Sequence, residues 1–286
     1  MPTIRSSQNR RAFDLFLRTG HWPESKYNHS HDELGRFTFA DGSGGMAARQ
    51  SARPQAARVQ PRLAAKPKTD PVALDTLSAA EETAHKDPGT VSSGGGDKGG
   101  ISYGSYQLST NMGTAAEFVA SPEAQPWADR LGGLTPATPE FGTAWQAAAA
   151  SDPAGFEAAQ KAFIVRTKYD ATARILARNP VTDISGASPV VKAVVYSTAV
   201  QHGQSRAAQI VSQSIAETDG VLRRNDPRWQ ATLITRIYDH RIRIFDAASR
   251  RYALLGKSDK ARNSHNVATN RLPRESSKAL KLLGGS

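Results

Sequence analysis

The chain has 286 residues, of which 38% are hydrophobic, so it is long enough for one good-sized core with appendages or for two small domains. It carries no run of about 18 apolar residues, and its first twenty residues lack the apolar stretch and cleavage site of a secretory signal peptide. It has no cysteine, which excludes disulfides and thiolate metal sites. We therefore expect no membrane span, synthesis in the cytoplasm, and action elsewhere only after delivery.

The charge balance is strongly basic: Lys plus Arg number 37 against 26 Asp plus Glu, for a net charge of +11. Such a balance favours polyanionic partners, namely nucleic acid, anionic lipid or the bacterial cell wall. Charge alone does not choose among them, and nucleic acid remains a partner on charge only.

The segment 1–42 is predicted to be a small unit of its own, with an amphipathic helix over 11–19 and a later stretch in which Phe37 and Phe39 alternate with Arg36, Thr38 and Ala40. His29 and His31 are two residues apart, a spacing at which a strand can present both to one metal. A solvated turn is the more common origin of this pattern, and we predict no metal here. The segment 43–70 contains no acid before Asp70 and too few apolar residues to fold, so it is predicted to be a disordered basic linker.

The main domain is predicted over 71–255 as mainly helical, of the α+β class. Pro71 opens a first helix behind the N-cap Asp70, and later stretches repeat apolar residues at helical spacing. The stretch SPVVKAVVYSTAVQHG is apolar almost all round, which predicts a buried central helix. The stretch WQATLITRIYDHRIRIFDAA is long enough to favour a helix over a strand. The segment 256–286 is basic and is predicted to be a flexible tail with at most one short helix.

The stretch EETAHKDPGTVSSGGGDKGGISYGSYQLS, residues 81–109, carries the strongest functional signal. Its five glycines between positions 94 and 100 indicate backbone of positive φ or close to a ligand. A phosphate-binding loop does not fit, because no Gly-Lys-Ser/Thr sequence follows. A flexible linker fits poorly, because Tyr103, Tyr106 and Leu108 follow at once and predict a folded strand and turn.

Acid catalysis on a sugar accounts best for this stretch. Glycoside hydrolysis needs one protonated carboxylic acid and a second carboxylate across the cleft. A helix end that is partly apolar can keep the acid protonated by desolvation. A polar hairpin tip such as Asp97 suits the second carboxylate, although aspartate is also a common turn residue. Such chemistry needs no cofactor and no metal, and we predict neither.

The motifs PGTVSSG, GDKGGISYGSYQLS and VVYSTAVQHG resemble the lysozyme-like hydrolase domains of phage lysins and secreted antibacterial effectors, which share their plan with chitosanases and phage lysozymes. The resemblance covers roughly 72–245 and implies two mainly helical lobes, a small β-hairpin and a cleft between them. It implies the following roles: Glu82 as general acid, Asp97 as second carboxylate, Ser102 as holder of the attacking water, and Tyr103, Gln107, Gln201 and His202 along the cleft. Glu81 remains the alternative acid, and His202 is alternatively a helix C-cap. The bulky run from Thr83 to Lys86 departs from the small residues typical of such domains.

The function expected from these features is hydrolysis of the glycan strand of peptidoglycan by a muramidase-like, bacteriolytic enzyme. Delivery is expected by a phage particle, a holin or a contact-dependent secretion machine, with 1–42 as the docking element. Two alternatives stay open. One is a catalytically degenerate module that grips cell wall or nucleic acid by charge, and the other is a chitosanase-type glycosidase, whose cationic substrate suits a +11 protein poorly.

Overall fold

The computed structural model describes backbone and side chains for residues 74, 76–77, 87–94 and 99–284, and the backbone alone for 30–31 and 37–38. The predicted helix over 11–19, the predicted linker over 43–70, and the residues Glu81, Glu82 and Asp97 lie outside the described residues.

The described chain is mainly helical with very short antiparallel strand pairs, which confirms the predicted fold class. Strands β1 and β2 pair Ser30 with Thr38 and His31 with Phe37, and strands β3 and β4 pair Ser102 with Ser109 and Tyr103 with Leu108. The strands span Ser30–His31 (β1), Phe37–Thr38 (β2), Ser102–Tyr103 (β3) and Leu108–Ser109 (β4). The α-helices span Thr114–Val119 (α1), Ala128–Leu131 (α2), Pro139–Ser151 (α3), Pro153–Ile164 (α4), Ala171–Leu176 (α5), Pro189–His202 (α6), Gln204–Asp219 (α7), Trp229–Leu254 (α8), Ser258–Asn266 (α9) and Leu272–Gly284 (α10). A 3₁₀ turn covers Pro122–Trp127, and π-helical segments cover Val165–Asp170 and Val267–Arg271. Among the described residues, no helix combines the length and apolar character needed to cross a bilayer.

Helix α6 is the buried central helix that its apolar sequence predicts. It begins where the Ser188 side chain accepts a hydrogen bond from the Val191 amide, with Pro189 in the first turn. Val191, Val194 and Val195 have no exposed surface. Because burial continues around the whole helix, the side chains at its C-terminal end, Gln201 and His202, are also enclosed by protein.

An aromatic cluster joins the hairpin β3–β4 to helices α1, α3 and α4. Tyr103 packs edge-on against Phe141 with ring centroids 4.9 Å apart, and Trp145 lies 5.3 Å from Tyr103 and 4.8 Å from Phe156. Phe118 packs against both Trp145 and Phe156. These contacts make the hairpin part of the hydrophobic core, so its position relative to the helices is fixed.

The C-terminal segment is folded, which corrects the predicted flexible tail. Residues 258–284 form α9, a π-helical segment and α10, and Leu272, Glu275 and Ala279 on α10 are buried. These three residues recur at helical spacing and form one inward face, which the abundance of Lys and Arg hides in the composition. Helix α8, Trp229–Leu254, which these elements cover, is helical as predicted rather than a strand.

Candidate active-site hairpin

The glycine-rich stretch forms a hairpin whose base is a small hydrogen-bonded ladder. The Ser92 amide donates to the Ser102 carbonyl at 2.9 Å, and the Gly104 amide donates to the Thr90 carbonyl at 2.8 Å. The Ser102 amide donates in turn to the Ser92 hydroxyl at 2.8 Å. Residues 90–92 therefore run beside 102–104, which pair on their other side with β4.

Two buried side chains from the helices anchor the start of this hairpin. The Pro88 carbonyl accepts hydrogen bonds from the Trp145 indole N–H at 2.9 Å and from the Gln160 amide group at 3.1 Å. The Gln160 side-chain oxygen accepts from the Ser105 amide at 3.1 Å, so one glutamine ties both arms of the hairpin to α4. Gly104 has φ +73°, and a Cβ at this position would lie 2.0 Å from that oxygen, so only glycine fits here.

The two ends of the glycine loop are also fixed. Gly94 and Gly100 both have positive φ, and a Cβ on Gly94 would lie 2.9 Å from the Ile101 amide nitrogen. The Gly99 carbonyl accepts hydrogen bonds from the Ser109 hydroxyl and the Asn111 amide. Residues 95–98, which include Asp97, thus connect two anchored ends that lie close together.

The structure places three of the sequence-predicted site residues on this hairpin. Tyr103 has no exposed surface, and its hydroxyl accepts a hydrogen bond from the Ala137 amide at 3.1 Å, so it packs as a core residue. Ser102 is 6% exposed at the base of the loop. Gln107 has φ +54°, and its side-chain amide donates to the Gly104 carbonyl at 3.0 Å, which closes the turn between β3 and β4. A non-glycine residue in this left-handed region is uncommon and is enriched near functional sites.

Gln201 and His202 lie together at the end of α6 and face helix α8. The Gln201 side-chain oxygen accepts two hydrogen bonds from the Arg241 guanidinium, at 3.0 and 2.9 Å. The His202 ring lies 5.6 Å from the Phe245 ring. Both side chains are almost fully buried, at 2% and 3% exposure, so they pack and form contacts inside the helical core.

Arg241 belongs to a buried polar network that links α6, α8 and α10. Its guanidinium also contacts the Ser197 hydroxyl at 3.1 Å and the Glu275 carboxylate at 3.4 Å, and Arg271 binds the other carboxylate oxygen at 2.8 Å. Burial by itself raises the pKa of Glu275, but Arg241 and Arg271 outweigh burial and hold that pKa below its ordinary value. Glu275 is therefore ionised at neutral pH and neutralises the buried arginine.

The π-helical segment Val165–Asp170 carries titratable groups that the sequence did not single out. Burial lowers the pKa of the Lys168 ammonium to about 8, with the Glu117 carboxylate offsetting part of the shift. Burial raises the pKa of Asp170, against the opposing influence of Arg174 and Arg166. Perturbed pKa values and π-bulges both recur at functional sites. No sequence signal marks them, because a π-helical segment has no periodicity that separates it from the helices on either side.

Within the described part of the chain, no group of three or more His, Asp or Glu side chains is arranged to hold a metal ion. The described residues of the hairpin offer hydroxyls and backbone amides to a ligand.

Comparison with known proteins gives the family. Residues 74–266, more than half of the chain, match the family model described as type VI secretion system spike protein VgrG3-like, C-terminal. The chain is also 41% identical over 97 residues to the type VI secretion system spike protein VgrG3 of Vibrio cholerae serotype O1. That match covers 34% of this chain and 9% of the longer protein.

These matches correct the family expected from the sequence motifs. The hairpin and α6 motifs suggested a generic lysozyme-like domain of phage lysins and effectors, and that assignment is wrong. The matched region includes the anchored hairpin, the central helix α6 and the whole of α8. The chain belongs to the family of VgrG3-like C-terminal domains of type VI secretion system spike proteins.

Proposed function

We propose that this domain hydrolyses the glycan strand of peptidoglycan, as a muramidase-type enzyme, after delivery by a type VI secretion system. Glu82 is the general acid, Asp97 is the second carboxylate, and Ser102 helps to hold the attacking water. The observation that carries the proposal is the anchored glycine-rich hairpin, whose fixed start at Pro88 follows Glu82 by six residues and whose fixed ends flank Asp97 in the chain.

The distances along the chain support this pairing. Asp97 is three residues from Gly94 and three from Gly100, so it lies within about 10 Å of either anchored end. Glu82 precedes Asp87 by five residues, and the next residue, Pro88, is held by Trp145 and Gln160. Two carboxyl groups about 5 to 9.5 Å apart are what glycoside hydrolysis requires. The short chain lengths from these anchors to Glu82 and Asp97 permit such a separation.

The anchoring itself suits catalysis. Catalytic groups act efficiently when the backbone that carries them is held in place before substrate binds. Here the hairpin base is tied to α4 through Gln160 and to α3 through Trp145, and the aromatic cluster packs beneath it. A glycine-rich loop on a rigid base allows a bulky sugar polymer to approach the backbone closely.

The family and the charge support the substrate and the route. A spike protein of a secretion system is carried out of the cell that makes it, so a fused or associated domain meets targets outside that cell. A net charge of +11 favours an anionic polymer, and the stem peptides of peptidoglycan carry carboxylates. Segment 1–42 is proposed as the part that docks to the secretion machinery.

Replacing Asp97 by Asn tests the hairpin half of this mechanism. The amide keeps the size of the side chain but cannot act as a carboxylate, so turnover on purified cell walls is expected to fall about a hundredfold or more. The readout is the loss of turbidity of a cell-wall suspension, with thermal melting as a check on folding.

Asp87→Asn is the matched control. The Asp87 side chain is exposed and accepts a hydrogen bond from the Gly89 amide at 2.7 Å, a role that asparagine can also perform. This variant is expected to keep wild-type turnover to within about twofold. Wild-type activity in Asp97→Asn would exclude Asp97 as the second carboxylate.

A further inference from the structure

The exposed side of the C-terminal helix α10 carries a stripe of basic residues along a groove. Arg274, Lys278 and Lys281 are all exposed and recur at intervals of four and three residues, so they lie on one face over about 10 Å of helix. The groove is lined by these residues and by Thr269, Asn270, Pro273, Ser277 and Leu282.

The charge on this stripe is not neutralised within the described residues. Glu275 is the only acid between positions 260 and 284, and it points the other way, into the buried network with Arg241 and Arg271. The Lys278 ammonium donates a hydrogen bond to the Thr76 carbonyl, which leaves its positive charge in place. The groove therefore offers three like charges and several hydroxyl and amide groups to an anionic ligand.

The chemistry of the groove favours a carboxylate polymer over nucleic acid. Single-stranded nucleic acids bind through aromatic side chains that stack on bases, and none of the described residues that line this groove is aromatic. Nor is the segment 43–70 of the same chain a suitable occupant, because it contains six Lys and Arg residues and one acid. Arg274 supplies the planar guanidinium that binds carboxylates with two parallel hydrogen bonds.

The groove is also linked to the segment proposed to carry the catalytic acid. Thr76, whose carbonyl Lys278 binds, precedes Glu82 by six residues. We propose that this groove is a second binding surface for peptidoglycan, which holds the carboxylates of stem peptides while the glycan strand is cut. The choice of polymer rests on the proposed function, whereas the binding site itself does not require catalysis.

The test is co-sedimentation of the full chain with purified sacculi, in a Glu82→Gln, Asp97→Asn background so that the ligand is not consumed. The groove variant replaces Arg274, Lys278 and Lys281 by Gln. The control replaces Arg250, Arg251 and Lys257 by Gln, which removes the same charge from exposed positions on α8 and just after it. A second ligand, sacculi whose carboxylates have been amidated, asks whether those carboxylates are bound.

The groove variant is expected to bind sacculi at least about tenfold more weakly than the parent, and the control variant is expected to bind as the parent does. On amidated sacculi, the groove variant and the parent are expected to bind equally. Equal binding by groove variant and parent would overturn the inference, as would equal losses in both triple variants. If the groove variant bound duplex DNA more weakly than the parent but bound sacculi equally well, the inference would also be overturned, in favour of nucleic acid as the ligand. Turnover of soluble glycan fragments is measured separately, in groove variants that retain Glu82 and Asp97, and unchanged turnover there separates this site from the catalytic one.

Discussion

Replacing Glu82 by Gln is expected to remove cell-wall hydrolysis, while Glu81→Gln retains most of it. A general acid contributes about 10²- to 10⁴-fold to turnover, so its loss far exceeds the effect of a surface substitution. Adjacent residues on a helix point about 100° apart, so only one of the two glutamates can face the substrate squarely. The sequence count from PGTVSS and the shorter path to the hairpin both favour Glu82.

The structure adds a reason to test both positions together. Leu74 and Leu77 are buried, at 1% and 2% exposure. In the sequence, Glu81 continues their helical spacing, a pattern that favours a core-facing position for Glu81 over Glu82. A catalytic acid at the edge of a core is common, so the paired variants decide the matter on one cell-wall preparation. If Glu81→Gln is inactive and Glu82→Gln is active, Glu81 is the general acid instead of Glu82. If both variants are active, the proposed carboxylate mechanism is excluded.

Replacing Glu275 by Gln is expected to destabilise the fold by about 3 to 5 kcal/mol, because it leaves the fully buried Arg241 without its carboxylate. The measurement is urea unfolding, with Glu157→Gln on the exposed side of α4 as the control that should change little. If Arg241→Met is combined with Glu275→Gln, the double variant should lose less unfolding free energy than the two single variants lose together. The reason is that removal of both partners leaves neither of them as an unpaired buried charge.

The lowered pKa of Glu275 also predicts how the stability of the fold changes with pH. The folded state lowers the pKa of Glu275 below its unfolded value of about 4.3, so the stabilisation is fully present above that pH. It is lost as pH falls through the lower, folded pKa. Wild-type stability should therefore fall on acidification below about pH 4, and the fall should be smaller in Glu275→Gln. A Glu275→Gln variant as stable as wild type at pH 7 would exclude a stabilising role for the network.

The helices were largely predictable because their signals are local. Ser188 and Pro189 mark the start of α6, and its nearly continuous apolar sequence predicts burial on all sides. The hairpin was predictable from the glycines and the residues after them. Its anchoring was not, since Gln160 lies 72 residues from the Pro88 carbonyl that it binds.

The C-terminal segment shows where composition misleads. Its lysines and arginines predict a flexible tail, yet Glu275 pairs with Arg241, 34 residues earlier in the chain, and Leu272 and Ala279 pack beside it in the core. Gln201, one of the predicted site residues, also has a structural role that the local sequence does not predict. A polar pair such as Gln-His looks like a ligand-binding motif, but the Gln201 oxygen is occupied by the Arg241 guanidinium. Long-range partners of buried polar groups leave no trace in the local sequence.

Mass spectrometry of the fragments released from purified peptidoglycan tests the central claim most directly. A muramidase-type hydrolase yields glycan fragments with muramic acid at the reducing end, and this product is expected from the wild-type chain and absent with Glu82→Gln. Fragments with anhydro ends would indicate a transglycosylase, and free stem peptides would indicate an amidase. Either of those products, or no release of fragments by the wild-type chain, would contradict the proposed hydrolysis of the glycan strand.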